Sequence, residues 1–117
     1  MSLSPDASTP TLLSQVLDGH TLTLRLRLDP GLVWFAGHFP GAPLLPGVAQ
    51  LHLAIGYACE QWAIEERFSG LEMLKFQQPL QPGNEVELQL SWQPEQRKLQ
   101  FCYRLDGETA SSGRVKL

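Results

Sequence analysis

"PGVAQLHLAIGYACEQWAIEERFSG", residues 46–70, is the one long stretch of the chain whose apolar residues recur at helical spacing. Val48, Leu51, His52, Ile55, Cys59 and Trp62 share a stripe, while Gln50, Glu60, Gln61 and Glu65 lie off it, the pattern of a helix packed by one face. Pro46 suits a first helical turn, where a missing N–H costs nothing, and Gly70 suits a stop. The spacing predicts a helix of about 20 residues, about 30 Å long.

On both sides of this helix the pattern changes to strict alternation. "TLTLRLRLD", residues 21–29, places Leu22, Leu24, Leu26 and Leu28 on one face and polar residues on the other. "EVELQLSW" repeats this with Val86, Leu88, Leu90 and Trp92, and "KLQFCYRL" with Leu99, Phe101, Tyr103 and Leu105, with a turn over Pro94–Arg97. "LLSQVL" precedes the first strand through Asp18-Gly19, a hairpin signal in which His20 leaves the loop length open. "LEMLKFQQPL" reads as a strand ending at Pro79, Pro82-Gly83 as a turn, and "ASSGRVKL" as a weaker last strand. Five or six strands with one apolar face, and one long helix, predict an α+β fold. Its curled antiparallel sheet wraps around the central helix.

A chain of 117 residues with 43% apolar content makes one core and leaves no room for a second domain. Residues 1–10, rich in Ser and Pro, are expected to form a flexible tail, and residues 11–117 the single domain. The net charge of −3 gives no basic footprint for nucleic acid. The polar N-terminus has no secretory pattern and no apolar run is long enough to span a membrane, so a cytoplasmic protein is expected. Cys59 and Cys102 lack metal-ligand spacing and read as reduced core thiols.

The segment leading into the helix, "GHFPGAPLLPG" at residues 37–47, concentrates three prolines and three glycines around a single ionisable side chain, His38. Prolines fix the backbone and glycines permit tight turns, so the composition presents one imidazole on a rigid loop. An imidazole, with an ordinary pKa of about 6.5, is available as a base near neutral pH. A base held rigidly loses little entropy on reaching its reactive geometry.

"FAGHFPGAPLLPGV", residues 35–48, together with "KFQQPLQPGNEVEL", resembles the hotdog-fold 3-hydroxyacyl-ACP dehydratases of fatty-acid synthesis, whose hallmark is a GHFPGxPxxPGV run entering the central helix. Within that family "LLPGVAQL" is most similar to the dehydratase-like proteins of aryl-polyene pigment synthesis. The resemblance implies elimination of water from a 3-hydroxyacyl thioester on acyl carrier protein, giving the trans-2-enoyl product. It places the family's histidine on His38, with a cis peptide at His38-Phe39. The acidic partner, which faces that histidine across a dimer interface, falls fourteen residues on, at His52. A His where the family has Glu or Asp is the main departure, and Gly56, where many members have Gln, is a second.

Elimination needs a base, an acid for the departing hydroxyl and a site for the enolate-like oxygen. His38 and His52 are the candidate catalytic pair. The backbone N–H groups of Gly47 and Val48, at the positive end of the helix, are the candidate oxyanion site, and Ile55 and Gly56 the candidate border of the acyl chain. His52 fits equally a core histidine, and Trp34-Phe35 either core or substrate wall. The resemblance implies no metal or redox cofactor, and a substrate that rides on the phosphopantetheine of acyl carrier protein. The expected assembly is a homodimer, or a heterodimer with another hotdog subunit. Arg25, Arg27, Arg97, Lys98 and Lys116 are candidate contacts for an acidic carrier. A non-catalytic acyl-binding or partner subunit is the first competing reading. A hotdog thioesterase is the second, disfavoured because no carboxylate stands near the start of the helix.

Overall fold

The computed structural model describes residues 8–37, 41–65 and 67–117. Strands β1 (Thr11–Asp18), β2 (Thr21–Arg27), β3 (Gly70–Phe76), β4 (Glu85–Gln93), β5 (Lys98–Leu105) and β6 (Glu108–Lys116) form one sheet in the order β1-β2-β4-β5-β6-β3. Every neighbouring pair is antiparallel. Alternation sets the register: Leu24 pairs with Leu88 and Leu88 with Tyr103, while Leu22, Leu90 and Phe101 make the next row. These side chains are all buried, so a slip of one residue would turn each row out to water.

Two turns close the hairpins at either end of the sequence. Asp18 pairs with Thr21, which settles the first loop as the two residues Gly19 and His20. Gly19 has φ 60, as the first central position of a type II′ turn requires. Between β5 and β6, Asp106 and Gly107 both have positive φ, the type I′ pattern of an Asp-Gly hairpin. That Asp-Gly pair was a readable signal, and it explains why β6 is longer than the expected last strand.

The helix, α1 (Gly47–Trp62), has 16 residues, fewer than predicted. It ends where Ala63 turns left-handed (φ 50) and the Ile64 N–H reaches back to the Cys59 carbonyl at 3.2 Å. Gly70 is the first residue of β3 and not the helix stop. Beyond Ala63 the backbone is taken up by the far end of the sheet: Arg97 Nη2 donates to the Glu65 carbonyl and the Ser69 N–H to the Lys116 carbonyl. Tertiary hydrogen bonds thus override a segment of good helix formers.

The buried face of α1 is also rotated from the predicted stripe. Ala49, Gln50, Leu53, Ala54, Ile55 and Ala58 lie against the sheet, whereas Val48 is 72% exposed and His52 and Gly56 face outward. Alanines let the helix approach a sheet already filled by leucines and Tyr103, so the smaller face wins over the more apolar one. Packing also begins earlier than the expected boundary at residue 11: Pro10 is buried and the Ser8 carbonyl accepts a hydrogen bond from Trp34. No helix among the described residues is long and apolar enough to cross a membrane.

Candidate functional site

Pro46 caps α1 in an extended conformation, and its carbonyl receives the N–H groups of Ala49 and Gln50 at 3.0 and 3.1 Å. The N–H groups of Gly47 and Val48 therefore precede the first helical bonds, at the positive end of the helix dipole, with no acidic side chain in the first turn. The ring of Phe76 covers Gly47 so closely that an added Cβ would stand 2.6 Å from Cζ. Gly47 opens on a cavity of about 310 Å³, walled by Leu45, Gln50, Phe76 and Pro79 among others.

Gln50 is 3% exposed and joins three parts of the fold. Its Nε2 donates to the Leu45 carbonyl at 3.1 Å, its Oε1 accepts from Ser111 Oγ at 2.5 Å, and Tyr103 Oη donates to its backbone carbonyl at 2.7 Å. The carboxamide thus ties the loop before the helix to strand β6. Burial, and then the charge Tyr57 would carry, hold the Tyr103 phenol well above its ordinary pKa, so it remains a neutral donor.

His52 stands on the outward face, with its imidazole 5.5 Å from the Trp34 ring, centroid to centroid, at an interplanar angle of 53°. A cavity of about 180 Å³ beside it is lined by Ser8, Thr9, Leu53, Gly56, Tyr57 and Glu60. A Cβ added at Gly56 would meet nothing within 4 Å, so this side of the helix is open. Tyr57 Oη is buried with no hydrogen-bond partner among the described residues. Its pKa is pushed up to about 12, by burial first and by the Glu60 charge second.

The predicted site residues therefore divide. His52 and Gly56 share one cavity and Gly47 lines another, while Val48 and Ile55 line neither, Ile55 being buried in the core. His38 and Phe39, and with them the expected cis peptide, lie outside the described residues. Phe35 is core, whereas Trp34 meets His52. Gln50, Tyr57 and Phe76 had no reading as site residues, and the one available signal was an amide at a helix position flanked by Ala49 and Leu51. Among the candidate carrier contacts, Arg25, Arg27 and Lys98 face carboxylates of Glu85, Asp29 and Glu72. Arg97 donates to the carbonyls of Leu117 and Glu65 and serves the fold. Among the described residues no three potential ligands cluster to hold a metal ion.

This arrangement has known relatives. The chain is 31% identical over 93 residues to the 3-hydroxyacyl-(acyl-carrier-protein) dehydratase FabZ of Acetivibrio thermocellus, a match covering 71% of this chain and 64% of that protein. It spans about three-fifths of the length of the curated relatives it matches. Among solved structures, the dehydratase heterocomplex ApeI:P from Xenorhabdus doucetiae contains a chain 45% identical, with a TM-score of 0.87 and coverage of 92% of this chain and 96% of that one. The dehydratase domain of PpsC from Mycobacterium tuberculosis, in complex with C12:1-CoA, is 26% identical with a TM-score of 0.66, covering 92% of this chain and 42% of that one. A helix set on a curled antiparallel sheet is the hotdog fold of these dehydratases. The model of the ApeI dehydratase family matches residues 14–114, nearly the whole described chain, and the protein belongs to the ApeI-like dehydratase family.

Proposed function

We propose that this chain is a dehydratase-like subunit acting on 3-hydroxyacyl groups carried as thioesters on the phosphopantetheine of acyl carrier protein. The observation that carries this reading is the placement of His52: it stands on the open face of α1, beside a cavity, five residues after Gly47. The family relatives named for this reaction, and the acyl-CoA held by the PpsC domain, support the substrate class.

In the proposed reaction His38 accepts the proton from C2. The N–H groups of Gly47 and Val48 face the enolate-like oxygen, and the C3–O bond breaks as His52 donates a proton to the departing hydroxyl. Water leaves, the C2=C3 bond forms and no electron is exchanged with a cofactor. Hydroxide is a poor leaving group, since water has a pKa of about 15.7, so the acid is essential. The second histidine is supplied across a subunit interface, where His38 of one subunit meets His52 of the other. The exposed apolar residues Phe68, Leu71, Met73 and Phe76 on and before the edge strand β3 support such a neighbour. The heterocomplex formed by a relative favours a second reading, in which a different hotdog chain is that neighbour and this one serves as its non-catalytic support.

The test is mass spectrometry of carrier-bound 3-hydroxyacyl chains of several lengths incubated with the purified protein. Formation of the trans-2-enoyl product is expected. His52→Ala should lower it by about 10²- to 10⁴-fold, the worth of one general acid, and His52→Glu should retain much of the rate. A His52→Ala protein that assembles normally and matches the wild type would place the acid elsewhere. A wild type that binds acylated carrier but is inert on every chain would leave the supporting-subunit reading.

A further inference from the structure

We infer that Trp34 is a positioning residue for His52, held in place by the N-terminal segment at Ser8. The inference rests on the reading of His52 as the acid. A histidine on the outward face of a helix has several staggered rotamers open to it, and only a neighbour can select one. Trp34 is such a neighbour, with its ring centroid 5.5 Å from that of His52.

Trp34 is itself fixed from two sides. It lies in the 3-10 turn Val33–Phe35, which is closed by the Phe35 N–H to the Leu32 carbonyl and the Ala36 N–H to the Val33 carbonyl, both at 3.1 Å. Leu32 and Phe35 anchor this turn in the core and leave Trp34 facing the helix. From the other side the indole Nε1–H donates to the Ser8 carbonyl at 2.8 Å, a bond that sets the ring about its own axis. The segment supplying that carbonyl is pinned a few residues later. There Asp29 Oδ2 accepts from the Thr11 N–H at 2.9 Å and from Thr11 Oγ1 at 2.6 Å.

Ser8 and Thr9 also line the His52 cavity, together with Gly56 and Tyr57. One aromatic side chain thereby joins the wall of the cavity to the imidazole beside it. A small rotation of Trp34 would be felt by His52. A displacement of about 1 Å at a reacting group can cost about 10²-fold in rate.

The experiment compares Trp34→Phe, which keeps an aromatic face but has no N–H for Ser8, with Trp34→Leu, which removes both. Turnover of carrier-bound 3-hydroxyacyl substrate and the NMR signals of histidine-labelled protein are read on each, with thermal melts to confirm folding. Trp34→Leu is expected to lower kcat by about 10- to 100-fold with KM within about twofold, and to spread the His52 side chain over more than one χ1 rotamer, read from its Hα–Hβ couplings. Trp34→Phe should retain part of both. The inference is overturned if Trp34→Leu, folded, keeps wild-type kcat, or if the His52 Hα–Hβ couplings are the same in all three proteins. Should the wild type prove inert, the reading of the reaction fails, and the His52 couplings alone then decide whether Trp34 orients the ring.

Discussion

Gln50 sits at a helix position where the surrounding buried residues are Ala49, Leu53 and Ala54, and it satisfies groups on two other elements. Gln50→Leu keeps the volume but leaves the Ser111 hydroxyl and the Leu45 carbonyl without that partner in a dry site. It should cost about 2–4 kcal/mol in urea unfolding, on the order of 1–3 kcal/mol for each orphaned group. Adding Ser111→Ala should recover part of this, because removing both partners of a buried bond is cheaper than removing one. Gly47 makes a different prediction. Gly47→Ala pushes on the far end of a half-exposed Phe76 ring, so its stability cost should stay within about 1 kcal/mol and shrink further beside Phe76→Ala, the coupling expected of touching residues. At this scale the motif made Gly47 legible, because a glycine directly after a fixed proline at a helix start marks close approach. Gln50 was not: a polar residue off an apolar stripe reads as solvated until a hydroxyl is seen facing it from a strand more than fifty residues away in the chain.

Elements show the same division between local and distant causes. The alternation of β2, β4 and β5 named nearly every inward side chain, since period-two patterning leaves one face for the core. The helix was misread by face and by end, because its small residues pack more closely than its large ones and Ala63 turns left-handed where glycine is usual. The junction of the N-terminal segment with β2 rests on Asp29. Hydrogen bonds from the Thr11 side chain, and then Arg27 and the Thr11 backbone, hold its carboxyl below the ordinary 3.8 against a smaller opposing effect of burial. The stability this adds is complete above 3.8 and is lost as the pH falls through the lowered folded value. Asp29→Asn should therefore be less stable than the wild type at neutral pH and should lose less on acidification, so that the two denaturation curves converge toward low pH. Parallel curves over that range would show that Asp29 is not linked to folding.

At the scale of the whole molecule, the class of fold was legible from one helical segment among alternating ones, but the strand order was not. Periodicity says which face of a strand is buried and nothing about its neighbour. That order has a kinetic consequence. β4, β5 and β6 follow one another through the turns at Pro94–Arg97 and Asp106–Gly107, so their pairing closes only short loops. β2 reaches β4, and β3 reaches β6, only after intervening elements have been spanned, α1 and β3 in the first case and β4 and β5 in the second. Loop closure must be met before such distant contacts give any return. The β4–β6 meander should accordingly be structured in the folding transition state, with β1 and β2 joining later. In stopped-flow refolding, Leu99→Ala should chiefly slow folding and Leu24→Ala should chiefly speed unfolding. The helix that bears the candidate site would then be laid on a meander already formed, and an interrupted molecule would have its sheet centre complete while α1 was still undocked.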